Sequence, residues 1–375
     1  MQQMLINKFP RGRIDHFLLF TTLCLVALGI AMVYSSSNII AYEKYKGDSF
    51  HFLKTQLIAS VIGLIGLAVA ASKYLPYKYY RQYAIYLLVF AALLLLSAYS
   101  SFGQNIGGFK RWIKIFKMQF QPVEFAKLAL IIYVARFLSD NADKIRRMRY
   151  VLLSVSVLFI FFLLIFFQPD FGTAVLISTV VFCMLFAGGA RLSQIIILGI
   201  IAGIFCYLAI HSNEYRWQRW EAFWNNSSDI PERVKNYQLW QSKNALAAGG
   251  ILGIGIGNSV YKLFYLPYPH TDFIFSIIGE ELGFIGAIIV IALFMALVWR
   301  GFHISFYVKD TFGSMLALGI SALFGLQTIV NIGVVVGLFP TKGLTLPFIS
   351  SGGSSLMMSL IAAGILLNIS REVEE

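Results

Sequence analysis

Long apolar runs, each interrupted by a few charged or turn-forming residues, recur along the chain. Ten approach the ~20 residues an α-helix needs to cross a bilayer. They fall at about 16–36, 51–72, 81–100, 121–139, 150–167, 170–187, 192–210, 272–299, 312–338 and 345–369. The pattern predicts an all-α polytopic membrane protein with about ten transmembrane helices, one integral membrane domain spanning 1–375. The first run is too long for a signal-peptide core and is expected to remain as an anchor. Gln168-Pro169-Asp170 leaves so little chain between the fifth and sixth runs that these form a tight hairpin. One stretch, 211–271, is not a span. In it Trp217, Trp220 and Trp224 recur at helical spacing, predicting an amphipathic helix with tryptophans at headgroup level. The run Gly249 to Gly257 is too glycine-rich for a stable helix and lacks the Lys-Ser/Thr of a phosphate-binding loop.

Composition sharpens this picture. Of 375 residues, 58% are hydrophobic and only 13% charged, too few charges to cover a soluble surface of this size. A soluble enzyme, a disordered chain and a coiled coil are excluded. The excess of 30 basic over 18 acidic residues points to anionic lipid rather than nucleic acid in so apolar a chain. Basic residues in the short loops near 8–13, 73–81, 144–149, 191, 300–309 and 371 mark one face as cytoplasmic, with both termini on it. The segment 211–271 is then a large extracytoplasmic loop between the seventh and eighth spans. Lys110, Arg111, Lys114 and Lys117 sit against this rule in a short loop of the opposite face. Clustered cations there are either solvated or bind an anion such as phosphate, and the second reading is favoured. Cys24, Cys183 and Cys206 lie in apolar runs and outline no disulfide framework or zinc site.

Ionisable residues inside spans are costly and are functional candidates. Glu124 and Lys127, three residues apart at the start of the fourth span, can pair on one helix face, as a structural or a functional pair. Asp272 heads the eighth span, and Ser276, Gly279, Gly283 and Ala287 follow at helical spacing. This is a small-residue stripe that lets a helix or a lipid chain approach. Glu280 and Glu281 lie about two turns deeper and must face protein or water. Asp170 is read as a helix cap at the hairpin tip. The stretch Pro340 to Ser355 puts proline, glycine and serine at membrane depth, which implies broken backbone lining protein or a wet cavity. Cations, an acid, an ion pair and broken helices in one half of the membrane suit a lipid-linked phosphate substrate. The acid serves as base and the cations hold a diphosphate leaving group.

Several motifs also resemble the SEDS family (shape, elongation, division and sporulation), in family order and from the first span to the last. They are Gly108-Phe109-Lys110-Arg111-Trp112-Ile113, Gln121-Pro122-Val123-Glu124-Phe125-Ala126-Lys127, Gln168-Pro169-Asp170-Phe171-Gly172-Thr173, His270 to Gly283 and Pro340 to Ser355. Val123 stands where a serine is usual and Ser351 where an aromatic residue is usual. The resemblance implies a ten-span peptidoglycan glycosyltransferase of the bacterial cytoplasmic (inner) membrane, active at the division septum, that polymerises lipid II. It implies Asp272 as the catalytic acid/base and Arg111, Glu124, Lys127 and Lys342 around a central cavity. Lys110, His270 and Ser354, in the same motifs, complete the candidate substrate-binding set. Lipid II and undecaprenyl-linked glycan, a class B penicillin-binding protein, divisome proteins and membrane lipid are the implied partners, without nucleic acid. No cofactor is implied. A divalent cation (Mg or Mn) is an option for which no ligand cluster is visible. The rival readings are an elongation-type polymerase, a lipid II flippase, and a scaffold indifferent to Asp272. A flippase needs polar groups on a path to both faces, whereas the candidates here gather in one half.

Overall fold

We describe a computed structural model for residues 12–100, 103–106, 109–115, 118–224, 237–341 and 343–373. The ten apolar runs all fold as helices, because a backbone in hydrocarbon must satisfy its own polar groups. They are α1 (His16–Lys44), α2 (His51–Ala70), α3 (Lys78–Ser97), α4 (Pro122–Asp140), α5 (Met148–Phe166), α6 (Phe171–Ala187), α7 (Leu192–His211), α10 (Ile274–Tyr307), α11 (Thr311–Val336) and α12 (Gly353–Ile369). Two shorter helices, α8 (Glu214–Trp224) and α9 (Tyr237–Gly249), lie between α7 and α10. Eight of the ten are long and apolar enough to cross a membrane. Of the other two, α6 is only 17 residues long and α4 carries Glu124, Lys127 and Arg136.

The helix starts follow local chemistry. Asp15 caps α1 by accepting from the Leu18 amide at 2.9 Å, and Asp310 caps α11 through the Gly313 amide at 2.9 Å. Pro122 occupies the first turn of α4, where a missing N–H costs nothing. Gly337, with φ +86°, ends α11 in the left-handed conformation.

Small residues let the central helices close on one another. A Cβ on Gly364 of α12 would lie 2.6 Å from the Leu67 carbonyl of α2, and one on Gly63 would lie 2.5 Å from Leu360. Thus α12 is the most enclosed span, with 83% of its apolar window buried against 17% for α7. Gly29 of α1 packs in the same way, since a Cβ there would lie 2.5 Å from the Phe348 carbonyl.

Hydrogen bonds sort the connections into two ends. At one end Arg300 pairs with Asp15, whose amide donates to Ser370 at 3.0 Å, and Tyr77 donates to Glu372 at 2.6 Å. Asn368 donates to the carbonyls of Ala70, Ser72 and Leu75 at 2.8–3.0 Å. The other end gathers the described residues of 103–120, 168–170, 212–272 and 340–352.

Three features depart from the sequence reading. Residues 103–120 hold a three-stranded antiparallel sheet, β1 (Gly103–Ile106), β2 (Phe109–Ile115) and β3 (Met118–Phe120), which amends the all-α expectation. The supposed cationic loop is a strand of alternating pattern, with Ile113 buried and Lys114 exposed. The last span begins only at Gly353, eight residues later than expected, because 343–352 is irregular. The small-residue stripe from Asp272 does not lie on one helix either. Asp272 precedes α10 in a turn, and Gly283 (φ 69°, ψ −169°) breaks the helix.

That break is capped by the glycine-rich run. The carbonyls of Glu280 and Glu281, freed by the break, accept from the amides of Ile254 (3.1 Å) and Gly255 (3.0 Å). The amides of Phe284 and Ile285 donate to Gly250 (2.9 Å) and Ile251 (3.2 Å). Only glycine fits at 283, since a Cβ there would lie 2.2 Å from the Gly253 nitrogen.

Candidate active site around Asp272

Asp272 lies ahead of α10, outside the spanning segment, and its backbone carbonyl is gripped by Asn331 of α11. The Asn331 amide donates to it at 2.9 Å and to the Leu344 carbonyl at 2.6 Å. The neighbouring carbonyls of His270 and Thr271 accept from the Ser351 amide (2.8 Å) and the Ser350 hydroxyl (2.6 Å). A Cβ on Gly343 would stand 2.7 Å from Asp272 Oδ2, so the carboxylate faces the backbone of the 340s loop. Among the described residues no hydrogen bond or ion pair reaches that carboxylate. Burial and the charge of Asp170 push it up, to about 6, against the opposing pull of Arg111 and Arg219. An acid held in place by its backbone, with free oxygens and a pKa near operating pH, is suited to proton transfer.

Two cations converge on this acid from different elements. Arg219 projects from α8 and donates to the Thr341 carbonyl at 3.2 Å. Arg111 projects from β2 onto the hairpin tip, where Nε donates to the Gln168 carbonyl at 2.8 Å and Nη2 to that of Pro169. One edge of its guanidinium is therefore occupied by backbone, so the arginine orients the tip as well as lending charge. Asp170 at that tip caps α6, accepting from the Thr173 amide at 3.4 Å, as the sequence suggests, and also lies near enough to act on Asp272.

Glu124 and Lys127 pair at 2.8 Å, both buried. Lys127 also donates to Gln327 at 3.2 Å, and Gln327 donates to the Thr345 carbonyl at 2.8 Å. The Thr345 hydroxyl lies 3.0 Å from that of Ser355. Ser354 accepts from the Gln121 amide at 2.9 Å and donates to the Gln119 carbonyl at 3.2 Å. Lys127 thus ties α4 to α11 and, through Gln327, to the irregular 343–352 stretch, while Ser354 ties the start of α12 to β3 and Gln121.

His270 is a candidate of a different kind from the one expected. Burial, with the Lys44 charge, holds its imidazole down, to about 4, so it is neutral at neutral pH and supplies no positive charge to a diphosphate. It packs on Phe52 at 4.4 Å between ring centroids, and its buried Nδ1 has no hydrogen-bond partner among the described residues. Lys342, Lys117 and the side chain of Lys110 lie outside the described residues.

Among the described residues no group of three His, Cys, Asp or Glu side chains converges to hold a metal ion.

The sequence reading missed Arg219, Gln327 and Asn331. The last two are polar residues four apart in an apolar span, one helix face, and that spacing was the available signal. Arg219 is masked in sequence by the tryptophans around it.

The helices and this site define a multi-pass membrane protein with an acid set among polar and charged side chains at one end of the bundle. The chain belongs to the family described as "Cell cycle protein", which groups FtsW, RodA and SpoVE and matches residues 15–375. It is 44% identical over 373 residues to the probable peptidoglycan glycosyltransferase FtsW of Trichlorobacter lovleyi, covering 99% of this chain and 96% of the relative. It is 39% identical over 360 residues to stage V sporulation protein E of Bacillus subtilis, covering 95% of this chain and 97% of the relative. Among solved structures it resembles a chain of a peptidoglycan synthase complex that coordinates polymerization and crosslinking. There the TM-score is 0.79 with 26% identity over 96% of this chain and 98% of the other. It also resembles the rod shape determining protein RodA of Thermus thermophilus (TM-score 0.70, 26% identity, 96% of this chain and 98% of the other).

Proposed function

We propose that the chain is a peptidoglycan glycosyltransferase that joins lipid II units into β-1,4 glycan and releases undecaprenyl diphosphate. The observation that carries this reading is the Asp272 carboxylate, fixed by its backbone, without a hydrogen-bond or ion-pair partner among the described residues, and under the charge of Arg111 and Arg219. Ionised Asp272 takes the proton of the acceptor GlcNAc 4-hydroxyl. The freed oxygen attacks C1 of the donor MurNAc as the bond from C1 to the diphosphate oxygen breaks. A single displacement inverts the anomeric centre, from α to β. Charge growing on the diphosphate is offset by the guanidinium groups, with Lys110 and Lys342 as further candidates.

The chain acts in the bacterial inner membrane, with the Asp272 end outside and both termini in the cytoplasm, as the positive-inside rule assigns them. Relatives named FtsW favour a role at the division septum among divisome proteins. The resemblance to a synthase that couples polymerization to crosslinking favours a class B penicillin-binding protein as partner.

The test is polymerisation of purified lipid II by the full chain, alone and with that partner, read as glycan length on a gel. Wild type should form polymer, and Asp272→Asn should lose about 10²- to 10⁴-fold in rate while folding at least as stably as wild type. Equal rates for both proteins would remove Asp272 from the chemistry, and no polymer from wild type under either condition would overturn the assignment.

A further inference from the structure

The segment that carries Asp272 is closed at its base by a buried charge network outside the site. Lys262 lies ten residues before Asp272 and Glu281 nine after. Their side chains pair at 2.9 Å, with 2% and 0% exposure. Ser35 of α1 stands 2.6 Å from both Glu281 oxygens, and Lys262 also donates to the Gly257 carbonyl at 2.7 Å. One residue back, Glu280 accepts from the amides of Val260 (2.7 Å) and Tyr261 (3.3 Å) and from the Ser259 hydroxyl. Backbone bonds between 250–255 and 280–285 continue the closure. The tip is pinned separately, by Asn331, Ser350 and Ser351.

A buried ion pair is seldom more stabilising than apolar side chains of the same volume. Stability alone therefore gives little reason for two acids and a lysine here. What a buried pair supplies is a fixed length and direction. Without it the base could spread, because the helix it joins is already interrupted at Gly283. Movement at the base passes to the tip through about two turns of α10, and the tip holds the acid.

We infer that Lys262 and Glu281 are positioning residues, a staple that sets where the Asp272 carboxylate stands without touching substrate. This rests on the polymerase reading above. An ångström of displacement at a reacting group can cost on the order of 10²-fold in rate. Loosening the staple should therefore lower kcat and leave substrate binding nearly intact.

The experiment uses the full chain and lipid II, with kcat, KM and melting temperature for Glu281→Gln, Lys262→Met, Lys262→Arg and the double variant Lys262→Met with Glu281→Gln. The single neutralisations leave an unpaired buried group and are expected to melt lower. The double variant removes both charges and should regain most of the lost melting temperature. Its kcat should nonetheless stay about tenfold or more below wild type, with KM changed less than about twofold. Lys262→Arg keeps the charge and should recover more turnover than Lys262→Met. If the double variant, or a well-folded single variant, turns over like wild type, or if the loss lies in KM alone, the staple does not position Asp272. Failure of wild type to polymerise would instead sink the reading of function, so the two failures are distinguishable.

Discussion

At Asp272 the environment works against ionisation, and this has a readable sign. A base must be ionised to accept a proton, so turnover should fall by half near pH 6 and about tenfold for each further unit of acid. An ordinary aspartate would place that limb near 4. Arg111→Ala or Arg219→Ala removes a charge that favours the carboxylate and should move the limb to higher pH. Asp170→Asn removes a repelling charge and should move it lower. The pH–rate profiles of the four proteins test this, and coincident limbs would show that these charges do not reach the acid. The same shift bears on stability. A raised pKa means the folded state binds the proton more tightly, so its stabilisation is complete below about 4 and is lost as pH rises through about 6. Asp272→Asn, permanently neutral, should melt above wild type at pH 7.5 and level with it at pH 4. At this scale the sequence was legible where burial of a charge is costly, as at Asp272, Glu124 and Lys127. It was opaque at Arg219, whose importance depends on α8 folding back to the 340s loop, a long-range contact that no local spacing records.

Among elements, α4 and α11 meet through a polar chain rather than through apolar packing alone. Glu124, Lys127 and Gln327 are all buried and joined in series, ending on Thr345. Removing one partner of the Glu124–Lys127 pair strands a charge, at a cost of about 3–5 kcal/mol. Glu124→Gln or Lys127→Met should accordingly destabilise more than the two together, and additive melting shifts in that cycle would show the pair to be uncoupled. The interruption of α10 gives a second test. Gly283→Ala must adopt φ 69° and place its Cβ against the Gly253 nitrogen, so it should lower the folded yield sharply, whereas Ala287→Gly lies past the break and should be mild. Helices were readable from the sequence because twenty apolar residues have few other options. The β-sheet was not, because four cations within eight residues dominate a strand of only seven residues, and the alternation beneath them is short. The break at Gly283 escaped for a related reason. Its stability comes from amides thirty residues upstream, and a glycine in a small-residue stripe looks the same whether the helix bends there or not.

The whole molecule is asymmetric along its axis. One end is tied by side chains between the termini and the short connections, as in Asp15 with Arg300 and Asn368 with the turn after α2. The other end is built from longer, irregular pieces that surround Asp272. Rigid closure at one end and longer connections at the other suit the proposed function, in which a large polar headgroup enters at one side of the membrane only.

The burial of α12 has a consequence for how the protein is made. A ribosome delivers this helix after the other eleven described helices, yet it occupies the middle of the bundle, against α2 at Gly63 and Gly364 and near the start of α4 through Ser354. Until it arrives, its slot must be empty or filled by lipid, and the polar groups that Asn368 and Ser354 satisfy remain unpaired. Folding therefore cannot finish in the order of synthesis. A chain stalled before residue 353 has its earlier spans inserted but no centre to close around, so an incomplete product is marked by an unfilled seam beside α2 and by unpaired polar groups at both ends of the bundle, the kind of defect that membrane quality control can detect.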